Sequence, residues 1–284
     1  MRYRNRLARV LSRMKKSREQ VQIPGPSTDS STDQKLLDGR TVLVTGGAGN
    51  VGRGIAIESA RQGASVVIVD IDDEARARVE RDLAQYQGRV TGYNCDLSRS
   101  DAIDRLCETL KKENILIDVL VNNVGVQYKT RSVVDLDIDE WQKTFATNVF
   151  GPMYLTRCIA RSMIANNRQG SILFITSIHQ WVIRHYASYS ASKGALGMIV
   201  RELAIDLAPH GIRVNGIAPG WVAEDTAGNP LPQRVAPLHQ SSIRPCYIGR
   251  AVVYLSADHY SFHTTGSVLK IDAGLSLNNY MVQS

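Results

Sequence analysis

Across 284 residues no run of about 18 apolar residues occurs, so nothing reads as a membrane-spanning helix. Cysteine is scarce. Cys95, Cys107, Cys158 and Cys246 are the whole set, and no two are closely spaced. This pattern suits a reducing compartment, with the thiols as small buried groups. The N-terminal stretch lacks the continuous apolar core of a secretory signal. No internal repeat is visible. A net charge is missing from most of the chain. Residues 1–22 set eight basic side chains against Glu19, which accounts for the whole formal charge of +7. The remainder is neutral, with 26 basic and 26 acidic residues. The positive charge belongs to a tail, and no nucleic-acid partner is expected.

What is present suits a globular protein, with 43% hydrophobic and 21% charged residues. In the tail, Tyr3, Leu7, Val10, Leu11 and Met14 recur at helical spacing, with arginines on the other faces. Weak contact with an anionic membrane surface, a mitochondrial presequence and a frayed end all fit this pattern. IPGPSTDSSTD (23–33) follows as a linker rich in Pro, Gly, Ser and Thr. Residues 1–34 are therefore expected as a disordered basic tail and linker, and 35–284 as a single folded domain. The cytoplasm is the expected compartment, or the mitochondrion if the tail is a presequence.

From Lys35 onward, short β-rich runs alternate with helical stretches. Strands are predicted at 41–44, 65–69, 89–94, 119–122, 171–176, 213–217 and 267–271, and helices at 52–62, 73–85, 99–112, 140–168 and 187–208. Such alternation implies right-handed crossovers and an α/β fold: a Rossmann-type, doubly wound parallel sheet of about seven strands. Ligands of such sheets bind at the carboxyl ends of the strands.

The first strand runs into TGGAGNVGRGIA (45–56), where Gly47, Gly49 and Gly52 satisfy G-x-G-x-x-G and a helix pattern follows. Glycines there let the backbone approach a pyrophosphate at the helix N-terminus. Asp70 ends the second strand, where a carboxylate accepts ribose hydroxyls and repels a 2′-phosphate. A dinucleotide is expected as cofactor, NAD rather than NADP. Further on, YASYSASKGAL (186–196) places Tyr189 and Lys193 four apart, on one face of a helix. An ammonium beside a phenol favours phenolate, which predicts a lowered Tyr189 pKa and a proton donor and acceptor working near neutrality.

Taken together and in order, these stretches resemble the short-chain dehydrogenase/reductase family over about residues 36–275. Thr45, Gly46 and Gly52 match its T-G-x-x-x-G-x-G motif, with Asn50 in place of the middle glycine and Gly49 and Val51 flanking it. CDL (95–97) resembles the adenine-flanking pair, with Asp96 and Leu97 in place. NNVG (122–125) resembles N-N-A-G and supplies Asn123 and Gly125. Asn148, Ser177, Tyr189 and Lys193 match the catalytic tetrad. The Ser177–Tyr189 spacing is twelve positions, where family members often have thirteen. APGWV (218–222), with Pro219, Gly220 and Val222, resembles the segment beside the nicotinamide. KIDAGL (270–275) resembles the V-D-G-G ending.

The resemblance implies hydride transfer between nicotinamide and a carbonyl or alcohol carbon. It gives Tyr189 the proton, Lys193 the ribose hydroxyls, Ser177 the substrate oxygen, and Asn148 a water linking Lys193 to solvent. It also implies a homotetramer formed through the long helices carrying Asn148 and Tyr189. For the substrate, SIHQ (177–180) is similar to a stretch of bacterial glucose 1-dehydrogenases, so His179 and Gln180 are candidates for binding hydroxyls of a sugar or polyol. Ketoacyl-thioester reduction is the alternative. A non-catalytic dinucleotide sensor, with a membrane- or nucleic-acid-binding tail, is a third reading. The segment 223–250 reads as a long loop. His259 and His263 stand four apart, but a third ligand is not evident, and no metal is expected.

Overall fold

The computed structural model describes residues 35–129, 132–232 and 236–277. The basic tail and linker lie outside these residues. Seven parallel strands form one sheet: β1 (Thr41–Thr45), β2 (Ser65–Asp70), β3 (Val90–Asn94), β4 (Val119–Asn122), β5 (Gly170–Ile175), β6 (Ile212–Pro219) and β7 (Val268–Ile271). Their order is β3-β2-β1-β4-β5-β6-β7, as the Rossmann-type reading requires. The winding reverses between β1 and β4, which opens a crevice at their carboxyl ends.

Helices cover both faces. α1 (Asn50–Arg61), α2 (Asp73–Leu83) and α7 (Pro245–Ser256) lie on one side, and α3 (Ser100–Lys112), α5 (Gly151–Ala165) and α6 (Ala187–Leu207) on the other. Strand alternation decides which residue serves which layer. In β1, Val42 and Val44 pack with Ile55, Ile248 and Val252, whereas Leu43 joins Leu106, Leu155 and Ile159. Both sets are buried, which is why the strands read as unbroken apolar runs. α1 and α7 touch backbone to backbone. A Cβ on Gly54 would stand 2.6 Å from the Pro245 carbonyl carbon, and one on Gly249 would stand 2.5 Å from the Gly54 oxygen.

Two stretches differ from expectation. The segment 223–250 is not all loop, because α7 begins at Pro245. Proline resembles a helix breaker in sequence, yet its fixed φ suits the first helical position. The single helix expected over 140–168 is α4 (Ile138–Phe145) and α5, joined by a π turn at Ala146–Phe150. His259 lies in the one-turn helix α8 (Asp258–Ser261), which ends before His263.

The C-terminus of α7 is tied down by Arg213 of β6. Its guanidinium donates to the Leu255 and Ser256 carbonyls at 2.5 and 2.9 Å, to Ser261 Oγ at 3.0 Å and to Asp258 Oδ1 at 3.1 Å. Arg213→Ala removes the donor to the Ser256 carbonyl, whereas the Leu255 carbonyl keeps the Ser261 hydroxyl, a cost of about 2 kcal/mol. The expected outcome is a lower urea midpoint with an unchanged slope. An unchanged midpoint would show that water replaces the guanidinium.

Candidate active site

The crevice at the carboxyl ends of β1 and β4 is knotted by short polar contacts. Thr45 Oγ1 accepts from the backbone N–H groups of Asn123 and Val124 at 3.0 and 3.2 Å. The Asn123 carboxamide donates to the carbonyls of Thr45 and Gly46 at 2.9 and 3.1 Å. Gly46 has φ +59°, and a Cβ there would press on Asn123 and Val124. A Cβ on Gly52 would stand 2.0 Å from the Gly46 oxygen, so only glycine lets α1 start this close to the turn.

Gly49 is the N-cap of α1, with no side-chain cap and no acidic residue in the first turn. The leading N–H groups of Asn50, Val51 and Gly52 therefore have no anionic side chain competing for them. Asn50 is exposed and helical, and its φ is not positive. The family's middle glycine is thus dispensable here. Asp70 ends β2 and accepts from the Ala48 and Asp72 N–H groups at 3.0 and 3.2 Å. At the next strand end, Asp96 Oδ1 accepts from the Ser98 N–H and hydroxyl at 2.9 and 2.7 Å. Leu97 is drawn into the core. These features fit a dinucleotide: a glycine turn leading into a helix start with no side-chain cap, and a carboxylate at the end of the neighbouring strand.

The second half of the crevice is built by β5, α6 and the π turn. Asn148, fully buried, exchanges two bonds with the Val126 backbone: Oδ1 accepts from N–H at 2.8 Å and Nδ2 donates to the carbonyl at 2.9 Å. Nδ2 also donates to Ser192 Oγ at 3.1 Å, and Ser192 donates to the Tyr189 carbonyl at 2.7 Å. Ser192 was not singled out by the sequence, although the small residues between Tyr189 and Lys193 were its signal. Lys193 is 3% exposed and donates to the Ile175 carbonyl at 2.8 Å. A Cβ on Gly125 would meet Lys193 Nζ at 3.3 Å and Asn148 Oδ1 at 3.5 Å, so glycine there leaves both polar groups room.

Burial pushes the Tyr189 phenol up, and the Ser177 hydroxyl beside it acts in the opposite direction. The lowered phenol expected from the Tyr189–Lys193 spacing is therefore corrected: desolvation outweighs the Ser177 hydroxyl. The Lys193 ammonium lies 5.4 Å from the Tyr189 ring centroid, and burial lowers its pKa to about 8. The shortened Ser177–Tyr189 segment still brings the two hydroxyls together. It does so through a 3₁₀ turn at Ile178–Gln180 and a positive φ of 57° at His185.

His179 packs edge-on against Tyr189, with ring centroids 5.2 Å apart, and its Nδ1 lies 3.3 Å from Ser190 Oγ. Burial holds its pKa down, aided by Arg184. Gln180 turns away: it donates to Thr176 Oγ1 at 3.1 Å and fills the space over Gly197, so its amide supports α6. Opposite, β6 delivers Pro219. Gly220 donates to Ile271 at 2.9 Å, with no space for a Cβ against Asp272, and Val222 bridges to Ile243. The strand topology thus gathers the predicted residues at one end of the sheet, with Leu97 turned inward.

A family model described as enoyl-(acyl carrier protein) reductase matches residues 46–276. The chain is 34% identical over 251 residues to a glucose 1-dehydrogenase of Gluconobacter oxydans (strain 621H), covering 84% of this chain and 92% of that protein. It is 30% identical over 251 residues to the 7alpha-hydroxysteroid dehydrogenase of Escherichia coli (strain K12), covering 86% and 97%. Among solved structures, acetoin dehydrogenase from Enterobacter cloacae matches with a TM-score of 0.80 at 26% identity, covering 86% of this chain and 98% of that one. Among the described residues no helix is long and apolar enough to cross a membrane. The chain belongs to the short-chain dehydrogenase/reductase family, as an NAD(P)-dependent oxidoreductase acting on CH–OH groups.

Proposed function

We propose that the protein is an NAD-dependent dehydrogenase interconverting a hydroxyl of a sugar or polyol and its carbonyl. The observation that carries this reading is the convergence of Ser177, Tyr189 and Lys193 beside the glycine-lined crevice. The sugar assignment draws on His179, a half-buried imidazole against Tyr189, and on similarity to the glucose 1-dehydrogenases of Gluconobacter oxydans and Bacillus subtilis. NAD is favoured by Asp70, whose charge opposes a 2′-phosphate.

A bound nicotinamide supplies or accepts the hydride. Tyr189 gives a proton to the carbonyl oxygen in reduction and takes one from the hydroxyl in oxidation. With burial holding the phenol protonated, it is an acid at neutral pH, and oxidation gains as pH rises. Ser177 donates to the same oxygen as negative charge develops on it. Lys193 spends one N–H on Ile175 and offers the others to ribose hydroxyls. Asn148, expected to hold a water beside Lys193, has both Nδ2 hydrogens committed to Val126 and Ser192, so its side chain acts by positioning the loop after β4 and α6. Gly46, Gly49, Asn50, Val51 and Gly52 would hold the pyrophosphate, and Asp70 would accept the ribose hydroxyls. Asp96 would flank the adenine, whereas Leu97, packed in the core, supports that strand end from below. Asn123, Gly125, Pro219, Gly220 and Val222 line the nicotinamide half. Phe150, Met198 and Ile205 are exposed around α5 and α6, which supports a homotetramer through those helices.

A screen at 340 nm against sugars, polyols, secondary alcohols and ketoacyl esters tests the substrate. Tyr189→Phe is expected to lower kcat/KM about 10³-fold while NADH binding persists. Retained turnover would remove Tyr189 from the chemistry. Asp70→Ala should lower kcat/KM with NAD about tenfold and narrow the preference over NADP. A widened preference would reverse the assignment.

Lys193 also makes stability depend on pH. Its folded pKa of about 8 lies below the ordinary 10.5, so between these values the unfolded chain binds more protons. Stability therefore rises with pH across that window. Lys193→Met removes the buried ammonium and should be the more stable form at pH 7. The gap in urea midpoint should shrink by pH 10. A gap independent of pH would mean that the ammonium is not penalised.

A further inference from the structure

Far from the crevice, the two helices on the α3–α5 face bring together cysteines that the sequence holds far apart. Asp104 of α3 accepts from the Tyr154 hydroxyl of α5 at 2.9 Å. One turn further along each helix stand Cys107 and Cys158. The Asp104–Tyr154 bond fixes the register of these faces and sets the two thiols beside each other across the helix pair. Both are half-buried and free, and both line an open groove of about 740 Å³ between the helices. Beneath them Leu106, Leu110, Leu155 and Ile159 form a packed floor, so the helices cannot drift apart cheaply. Neither cysteine touches the crevice residues, so the dehydrogenase reading gives this pair no task.

We propose that Cys107 and Cys158 form a dithiol site that low-molecular-weight disulfides oxidise to an interhelical disulfide. The step is thiol–disulfide exchange. A thiolate at Cys158 attacks one sulfur of a reagent such as glutathione disulfide, forming a mixed disulfide and releasing one reduced thiol. The Cys107 thiolate then attacks the Cys158 sulfur and expels the second. Two protein thiols are oxidised, one disulfide is reduced to two thiols, and the two protein protons pass through solvent to the released thiolates. Burial and the adjacent Cys158 push the Cys107 thiol up, so exchange quickens with rising pH.

The test uses the full chain, freed of reductant and incubated with glutathione disulfide at pH 8. The expected result is a fall from four titratable thiols to two in denaturant, loss of two hydrogens in intact mass and a peptide pair joined through Cys107 and Cys158. Dithiothreitol restores all four. The oxidised form should melt about 5 °C higher, because the cross-link constrains the unfolded chain. Cys107→Ser should stop at the mixed disulfide on Cys158, whereas Cys246→Ser should leave the bridge unaffected. Four persistent thiols, only glutathione adducts in the wild type, or a bridge using Cys95 or Cys246 would overturn the proposal. The thiol count on the wild type decides the matter even if a variant fails to fold.

Discussion

The Asn148 carboxamide, fully buried, and the Val126 backbone exchange both their donors and their acceptors. A buried amide left unpaired is costly, so this pairing fixes the loop after β4 against the helix layer. The third bond, from Asn148 to Ser192, draws in α6, and Ser192 in turn holds the Tyr189 carbonyl. The π turn makes this possible. Each residue of an α-helix advances about 100° around the axis, so a one-residue insertion swings the following side chains to another face. A regular helix from 138 to 165 would have to choose between packing α5 on the sheet and presenting Asn148 to Val126. The wider turn at Ala146–Phe150 permits both.

Around that anchor the site holds polar groups out of water. Lys193 is an ammonium with one carbonyl partner and little solvent, and its pKa of about 8 records the desolvation. The same cause moves the Tyr189 pKa the other way, since for a phenol too burial favours the neutral form. The folded chain therefore carries a cation short of hydrogen-bond acceptors beside a phenol that keeps its proton. Electron-rich hydroxyl and carbonyl oxygens brought into that space supply what the cation lacks. Burial, which costs stability, is also what readies the pair for an oxygen-bearing ligand.

Much of this was legible in the sequence because it rests on local pattern. Seven β-branched runs announced seven strands, and the glycine turn, Asp70 and the Tyr189–Lys193 spacing pointed to the candidate site that the fold gathers at one end of the sheet. What escaped depends on contacts across the chain. Ser192 and Thr45 are ordinary residues until the fold brings Asn148 and Asn123 to them. α7 was hidden behind Pro245, whose conformational preference reads two ways. The direction of the Tyr189 shift escaped because spacing reports a neighbouring charge and says nothing about water. The Cys107–Cys158 contact is of the same kind: no sequence spacing encodes two helices crossing.

The loop between β5 and α6 marks the boundary between what the family motif dictates and what this chain chooses. Ser177 and Tyr189 meet despite a short connection, because the 3₁₀ turn and the left-handed His185 take up the slack. That compact path leans His179 on the Tyr189 ring and turns Gln180 back onto Gly197. A longer loop would not need a side chain packed so tightly beneath it. The same shortening therefore spends one of the two candidate polar residues on structure and leaves the other packed against the Tyr189 ring. Specificity carried on such loops is free to change while the sheet, the π turn and the buried lysine stay as they are.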